Sequence, residues 1–147
     1  MVLEVERRES VAVVSLSAEA ARNAFNSDSM SEISNTLNKL MDDSDIRGIV
    51  ITGTGKFFCA GADIEEFQRS IEDGRIGPLV DDLTSILHPL QVRMRTDPTI
   101  LIAAMNGAAA GGGLGLALAC DARVAVPDAK LAAAFFKLGL SPDGGTT

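Results

Sequence analysis

Apolar positions in this chain alternate with polar ones in some stretches and recur every three to four residues in others, which separates strands from helices. Val2-Leu3-Glu4-Val5-Glu6 and Val11-Ala12-Val13-Val14-Ser15-Leu16 are β-rich runs divided by a short polar turn, predicting a hairpin. A polar stretch from Ser17 to Asn26 follows, and then Ser29-Met30-Ser31-Glu32 has the pattern of a capping box. Met30, Ile33, Leu37, Leu40 and Met41 recur at helical spacing until Asp42-Asp43-Ser44-Asp45 ends the helix. Ile46 to Thr52 reads as a short buried strand closed by Gly53-Thr54-Gly55. A helix begins at Ile64 and runs to Ser70, and Glu72 to Gly77 reads as a loop. Leu83, Ile86, Leu87, Leu90 and Met94 predict a helix over 79–94, where Pro89 implies either a kink or two abutting helices. Ile100 to Ala104 is a further buried strand, Leu114 to Ala119 a short helix, and 123–126 and 130–134 are candidate strands. Alternating strands and helices, with continuous apolar strands, predict one α/β domain over 1–147 with parallel pairing.

Composition narrows the partners. Net charge is −7 and the isoelectric point about 4.6, so a nucleic-acid surface is excluded and an anionic ligand needs local attraction. Cys59 and Cys120 form neither a disulfide framework nor a metal-ligand spacing, and their apolar surroundings predict inert buried thiols. No signal-peptide core follows the charged start, which makes a cytoplasmic location the expectation. Ile100 to Cys120 is 21 residues without a charge, but Asn106 and five glycines argue against a membrane helix. The last ten residues are turn formers with no closing element, so the natural chain is expected to continue.

Two glycine-rich stretches carry the candidate chemistry: Phe58-Cys59-Ala60-Gly61-Ala62-Asp63-Ile64 and Asn106-Gly107-Ala108-Ala109-Ala110-Gly111-Gly112-Gly113-Leu114-Gly115. Each follows an apolar strand and leads into a helix, which exposes main-chain N–H groups where the helix dipole favours negative charge. Two such bends facing each other would form an oxyanion hole. Other signatures fail. Gly53-Thr54-Gly55-Lys56 lacks phosphate-loop spacing, the 111–115 cluster is not a dinucleotide fingerprint, and Pro142 breaks a nucleophile elbow at Ser141. The single His88 cannot build a histidine metal cluster, and the absence of Tyr rules out phenol acid catalysis.

With these two stretches in this order, together with Arg22-Asn23-Ala24-Phe25-Asn26 and Ser141-Pro142-Asp143-Gly144-Gly145, the chain resembles the enoyl-CoA hydratase/isomerase (crotonase) superfamily over nearly its whole length. The resemblance implies a ββα spiral core, here ending before a C-terminal helical region that completes the pocket and builds homotrimers or hexamers. It implies an acyl-CoA thioester substrate, with no cofactor beyond the coenzyme A that the substrate carries. Ala62 and Gly112 match the positions whose N–H groups hold the enolate oxygen. Arg22, Ala24, Ala60, Asp63 and Ile64 match the coenzyme A slot, with Gly111 and Phe135 beside the acyl group. Lys56 is a further candidate phosphate partner. Asp63 also fits as a helix cap, and Asp121 matches a structural aspartate.

The chain departs from the hydratase pattern at both acid/base positions, which are Gly115 and Phe135. Asp143 remains, where double-bond isomerases of the superfamily carry a lone catalytic acid; its alternative is an ordinary turn residue before two glycines. One carboxylate beside an apolar wall at Phe135, made more basic by desolvation, could move a proton between C2 and C4. Isomerisation is therefore the leading expectation. Hydration, aryl-CoA dehalogenation using Asp143 and His88, and acyl-CoA binding without turnover are the alternatives.

Overall fold

The computed structural model describes residues 2–18 and 22–146, so the centre of the polar stretch after the hairpin lies outside the described residues. The hairpin forms: β1 (Val2–Arg8) pairs antiparallel with β2 (Val11–Ser17), turning at Glu9, whose φ is 56°. β2 then pairs parallel with β3 (Gly48–Gly53), β3 with β5 (Ile100–Met105), and β5 with β7 (Ala122–Ala125). These five strands make one sheet in the order β1-β2-β3-β5-β7. Ala12, Val14, Leu16, Ile49, Ile51, Leu101 and Ala103 occupy alternate positions and are buried, giving the sheet one core face. They share a single core with Ile33, Leu37 and Leu40 of α1 (Ser27–Met41) and Leu83, Leu87, Leu90 and Met94 of α3 (Ile76–Thr96).

A second sheet arises from the glycine stretches themselves. β4 (Phe57–Cys59), β6 (Ala108–Ala110) and β8 (Leu131–Ala132) pair in parallel, order β4-β6-β8. β3 and β5 end side by side, with Thr52 opposite Ala104, and the chain turns from each into β4 and β6. The turn before β6 needs glycine, because a Cβ on Gly107 would lie 2.1 Å from the Lys56 carbonyl oxygen. β4 leads to α2 (Ile64–Glu72) and β6 to α4 (Gly112–Ala119), so the two bends lie next to each other.

Several boundaries differ from the expectation. α1 starts two residues before the anticipated cap, because Asn26 is its N-cap: Asn26 Oδ1 accepts from Ser29 N (2.9 Å) and Ser29 Oγ accepts from Asn26 N (2.8 Å). The loop expected over 72–77 shrinks to three residues, since Glu72 ends α2 and Ile76 begins α3. α3 runs unbroken through Pro89, so the alternative of two abutting helices is not adopted. β8 keeps only two of the five residues expected at 130–134, and a 3-10 turn, Phe135–Leu138, follows it. The uncharged stretch 100–120 divides into β5, β6 and α4, and no described helix is long and apolar enough to cross a membrane.

Candidate active site

The first bend is fastened to the segment after β2. Phe25 and Ala62 form an isolated parallel bridge, in which Phe25 N donates to Gly61 O and Asp63 N donates to Phe25 O, both at 2.7 Å. This pairing uses the groups on either side of Ala62 and turns its own N–H away; no acceptor takes it among the described residues. Gly61 has φ 87°, and a Cβ there would lie 2.6 Å from Ala110 O and 3.2 Å from Gly112 N. The two bends are therefore in direct contact, and only glycine allows it.

At the second bend Gly111 takes φ 49° and donates its N–H to Ala132 O at 3.0 Å. Gly112 is the first residue of α4, and the helical ladder starts only with Gly115 N donating to Gly111 O (3.0 Å). The Gly112 N–H is thus one of the helix's orphan donors, also without an acceptor among the described residues.

Ala62 and Gly112 both line one cavity of about 330 Å³, walled by apolar side chains including Phe25, Leu83 and Leu87. Ala60, Ile64, Gly111, Phe135 and Asp143 line it too, so seven of the residues picked from sequence converge there. Asp143 is the only titratable side chain in this lining among the described residues. Phe135 is buried, but the Asp143 side chain is 33% exposed, so the expected dry apolar enclosure of the carboxylate is not formed. Asp143 Oδ2 lies 3.2 Å from His88 Nε2. The imidazole does not line the cavity; it borders a separate hollow that also contains Arg95 and Arg123.

A shallower hollow of about 720 Å³ shares Ala60, Ala62 and Ile64 with the cavity and adds Arg22, Ala24 and Asp63. The Arg22 guanidinium sits 5.7 Å from the Phe57 ring centroid, leaving its charge over the hollow. Lys56 is exposed but is not part of the lining. Asp63 caps α2, its Oδ1 accepting from Glu65 N at 2.9 Å and Glu66 N at 3.4 Å. Asp121 Oδ2 accepts from Leu101 N at 2.8 Å, a side-chain tie from the start of β7 to the main chain of β5. Cys59 and Cys120 are buried, and burial pushes both thiols up to about 12, so they stay protonated.

Two residues that shape the site escaped the sequence reading. Asn23, with no solvent exposure, accepts from Ala18 N and donates to Thr54 O and Phe57 O, docking its segment against β4. Gln91 is buried under the Asp143 turn and donates to Gly144 O at 3.1 Å. The available signal for Gln91 was a polar residue four after Leu87 and three before Met94, on the apolar stripe of α3.

Comparison with known proteins matches this arrangement. The enoyl-CoA hydratase/isomerase family model matches residues 6–147. The protein named "Probable enoyl-CoA hydratase EchA14" of Mycobacterium tuberculosis is 39% identical over 140 residues, 93% of this chain and 52% of the relative. The short-chain-enoyl-CoA hydratase of Clostridium acetobutylicum is 35% identical over 146 residues, 97% of this chain and 53% of its own. The crystal structure of an enoyl-CoA hydratase from Polaromonas sp. JS666 superposes with a TM-score of 0.87 at 34% identity, covering 97% of this chain and 55% of that one. The chain thus spans about half the length of the curated relatives it matches. By sequence match and by fold alike, the chain belongs to the enoyl-CoA hydratase/isomerase family of the crotonase superfamily.

Proposed function

We propose that the protein acts on acyl-CoA thioesters and moves a carbon–carbon double bond from C3 to C2. The observation that supports this reading is a cavity lined by Ala62 and Gly112, whose amides have no acceptor among the described residues, with Asp143 as the single titratable side chain in its described lining. The thioester oxygen would sit between Ala62 N and Gly112 N, with the coenzyme A portion along the hollow under Arg22. The Asp143 carboxylate takes a proton from C2, and the electron pair left behind spreads over the dienolate onto the thioester oxygen. The amides stabilise that charge; one such donor is typically worth ~2.7–4 kcal/mol. Protonated Asp143 then delivers the proton to C4, the double bond forms between C2 and C3, and the carboxylate is regenerated. No redox cofactor or metal enters this balance.

The relatives reported above are named hydratases, which makes water addition the second reading. Against it, this chain has Gly115 and Phe135 at the two positions where the family's hydratases place glutamates. The 3.2 Å approach of His88 to Asp143 favours a third, aryl-CoA dehalogenation with Asp143 as nucleophile and His88 as base. Side-by-side assays of 3-enoyl-CoA isomerisation, 2-enoyl-CoA hydration and chloride release from a chlorobenzoyl-CoA separate all three. Isomerisation is expected to dominate, and Asp143→Asn to lower it by ~10²–10⁴-fold, the usual weight of a positioned proton-transfer group. Unchanged isomerisation in that variant overturns the assignment, and coenzyme A binding by calorimetry without any turnover replaces it with a binding role. On the family resemblance the proposal extends to a cytoplasmic homotrimer or hexamer, which sedimentation of the native protein checks.

A further inference from the structure

Gly115, the first of the two departures from the hydratase pattern, lies under the Asp143 turn. A Cβ there would lie 2.7 Å from Gly144 O and 3.0 Å from Gln91 Nε2. Gly144 itself has φ 56°, and a Cβ on it would come within 3.1 Å of Gln91 Nε2 and 3.2 Å of Oε1. The α4 backbone at Gly115, the Gly144 peptide and the Gln91 carboxamide are therefore packed against one another with no space for another side-chain atom.

The turn has few other supports. Thr146 N and Oγ1 donate to Asp143 O at 3.0 and 2.6 Å, but these bonds are internal to the turn. Besides its packing on α4, two side-chain hydrogen bonds among the described residues join it to the rest of the site, both from one face of α3: His88 to the Asp143 carboxylate, and Gln91 Nε2 to Gly144 O. The Gln91 bond is the more sheltered of the two, its side chain being buried where His88 is half-exposed.

From this geometry we infer that Gln91 is a positioning residue for Asp143. Its amide holds the Gly144 carbonyl and thereby aims the carboxylate into the cavity, while the same stack denies position 115 to a second acid. The inference rests on Asp143 as the proton shuttle, and explains why the site is built for a shuttle and not for a water held between two carboxylates.

The test is made on the natural protein with 3-enoyl-CoA. Gln91→Met keeps the length of the side chain and removes the donor. Gly115→Ala presses on the Gly144 carbonyl from the other side. Neither residue lines the cavity, so each variant is expected to lower kcat by ~10–100-fold with KM within about twofold of the parent, as a misplaced catalytic group does. A role in stability alone would lower the thermal midpoint and leave kcat per folded molecule intact. Both variants retaining the parent kcat while Asp143→Asn loses it overturns the inference and leaves the shuttle standing. So does a rise in KM at unchanged kcat. Full activity in Asp143→Asn overturns the inference and the shuttle together. If Gln91→Met fails to fold, Gly115→Ala decides by the same kcat and KM criteria.

Discussion

Asn23 occupies the left-handed region at φ 55° and is shielded from solvent, with main-chain partners just after β2 (Ala18), before β4 (Thr54) and in β4 itself (Phe57). Asparagine tolerates that conformation better than other branched or bulky residues, so the position asks for both its backbone and its amide. Asn23→Ala strands the Ala18 N–H and the Thr54 carbonyl, while Phe57 O keeps its bond from Asn106 Nδ2, and each buried group left unpaired costs about 1–3 kcal/mol. Urea denaturation should show a loss of at least ~2 kcal/mol, with Asn23→Gly losing less because glycine carries no strain at positive φ. Arg22 and Ala24 line the hollow, and Asn23 between them is buried, a division of labour that the motif alone did not show. The amide of Gly112 can be tested alone, since the first helical position accepts proline, whose only missing group is the N–H. Gly112→Pro should lower kcat/KM by at least ~10²–10³-fold, since the ring removes the donor and occupies its place. The added ring meets Phe25, whose Cε2 would be 3.0 Å from a Cβ, so a parallel stability loss of ~1–3 kcal/mol is expected and is read separately by denaturation.

Helices were legible wherever an apolar stripe was long enough to show its period, as in α1 and α3, and their ends were not, because caps depend on single hydrogen bonds. Asn26 and Ser29 cap α1 reciprocally, a partnership that the serine–glutamate pattern two to three residues later disguised. Strands β4, β6 and β8 are two or three residues long and rich in alanine or embedded in glycine stretches, so alternation had nothing to act on. The meeting of the two glycine bends was readable because a glycine bend after a buried strand leaves few other outcomes. The Gln91–Gly144 contact was not, since its partners are 53 residues apart and meet only through the packing of α3 on α4. α3 also offers a direct element-scale test. Pro89 is exposed within its helix and cannot donate to the Ser85 carbonyl, four residues earlier. Pro89→Ala restores that donor and should raise the unfolding free energy by ~1–3 kcal/mol, up to the full proline–alanine difference in helix propensity. A destabilised variant would mean that the proline's fixed φ and missing donor at position 89 matter for how α3 packs on the sheet.

On the scale of the whole molecule, alkaline pH is where buried chemistry and net charge meet. Burial holds the Cys59 and Cys120 thiols near 12, against an ordinary value of 9.0. For Cys120 the neighbouring Arg123 and Arg95 partly oppose the burial and Asp121 adds to it. A group whose proton is held more tightly in the fold than in the unfolded chain contributes stability that is complete below the unfolded pKa. That contribution drains away as pH rises toward the folded value, because the unfolded chain binds fewer protons across the interval. Between pH 9 and about 12, each thiol should therefore cost ~1.4 kcal/mol of stability per pH unit, and the two together about twice that. Self-repulsion in a chain that already carries −7 acts in the same direction but is nearly the same in a single-cysteine variant. Cys59→Ser retains a donor for the Asn23 carbonyl, which Cys59 Sγ contacts at 3.0 Å, while abolishing the titration. Its stability at pH 7 should fall modestly, and its slope between pH 9 and 11 should be close to half that of the parent. Parallel slopes for the two proteins would place the alkaline loss in surface charge and not in the core behind the first glycine bend.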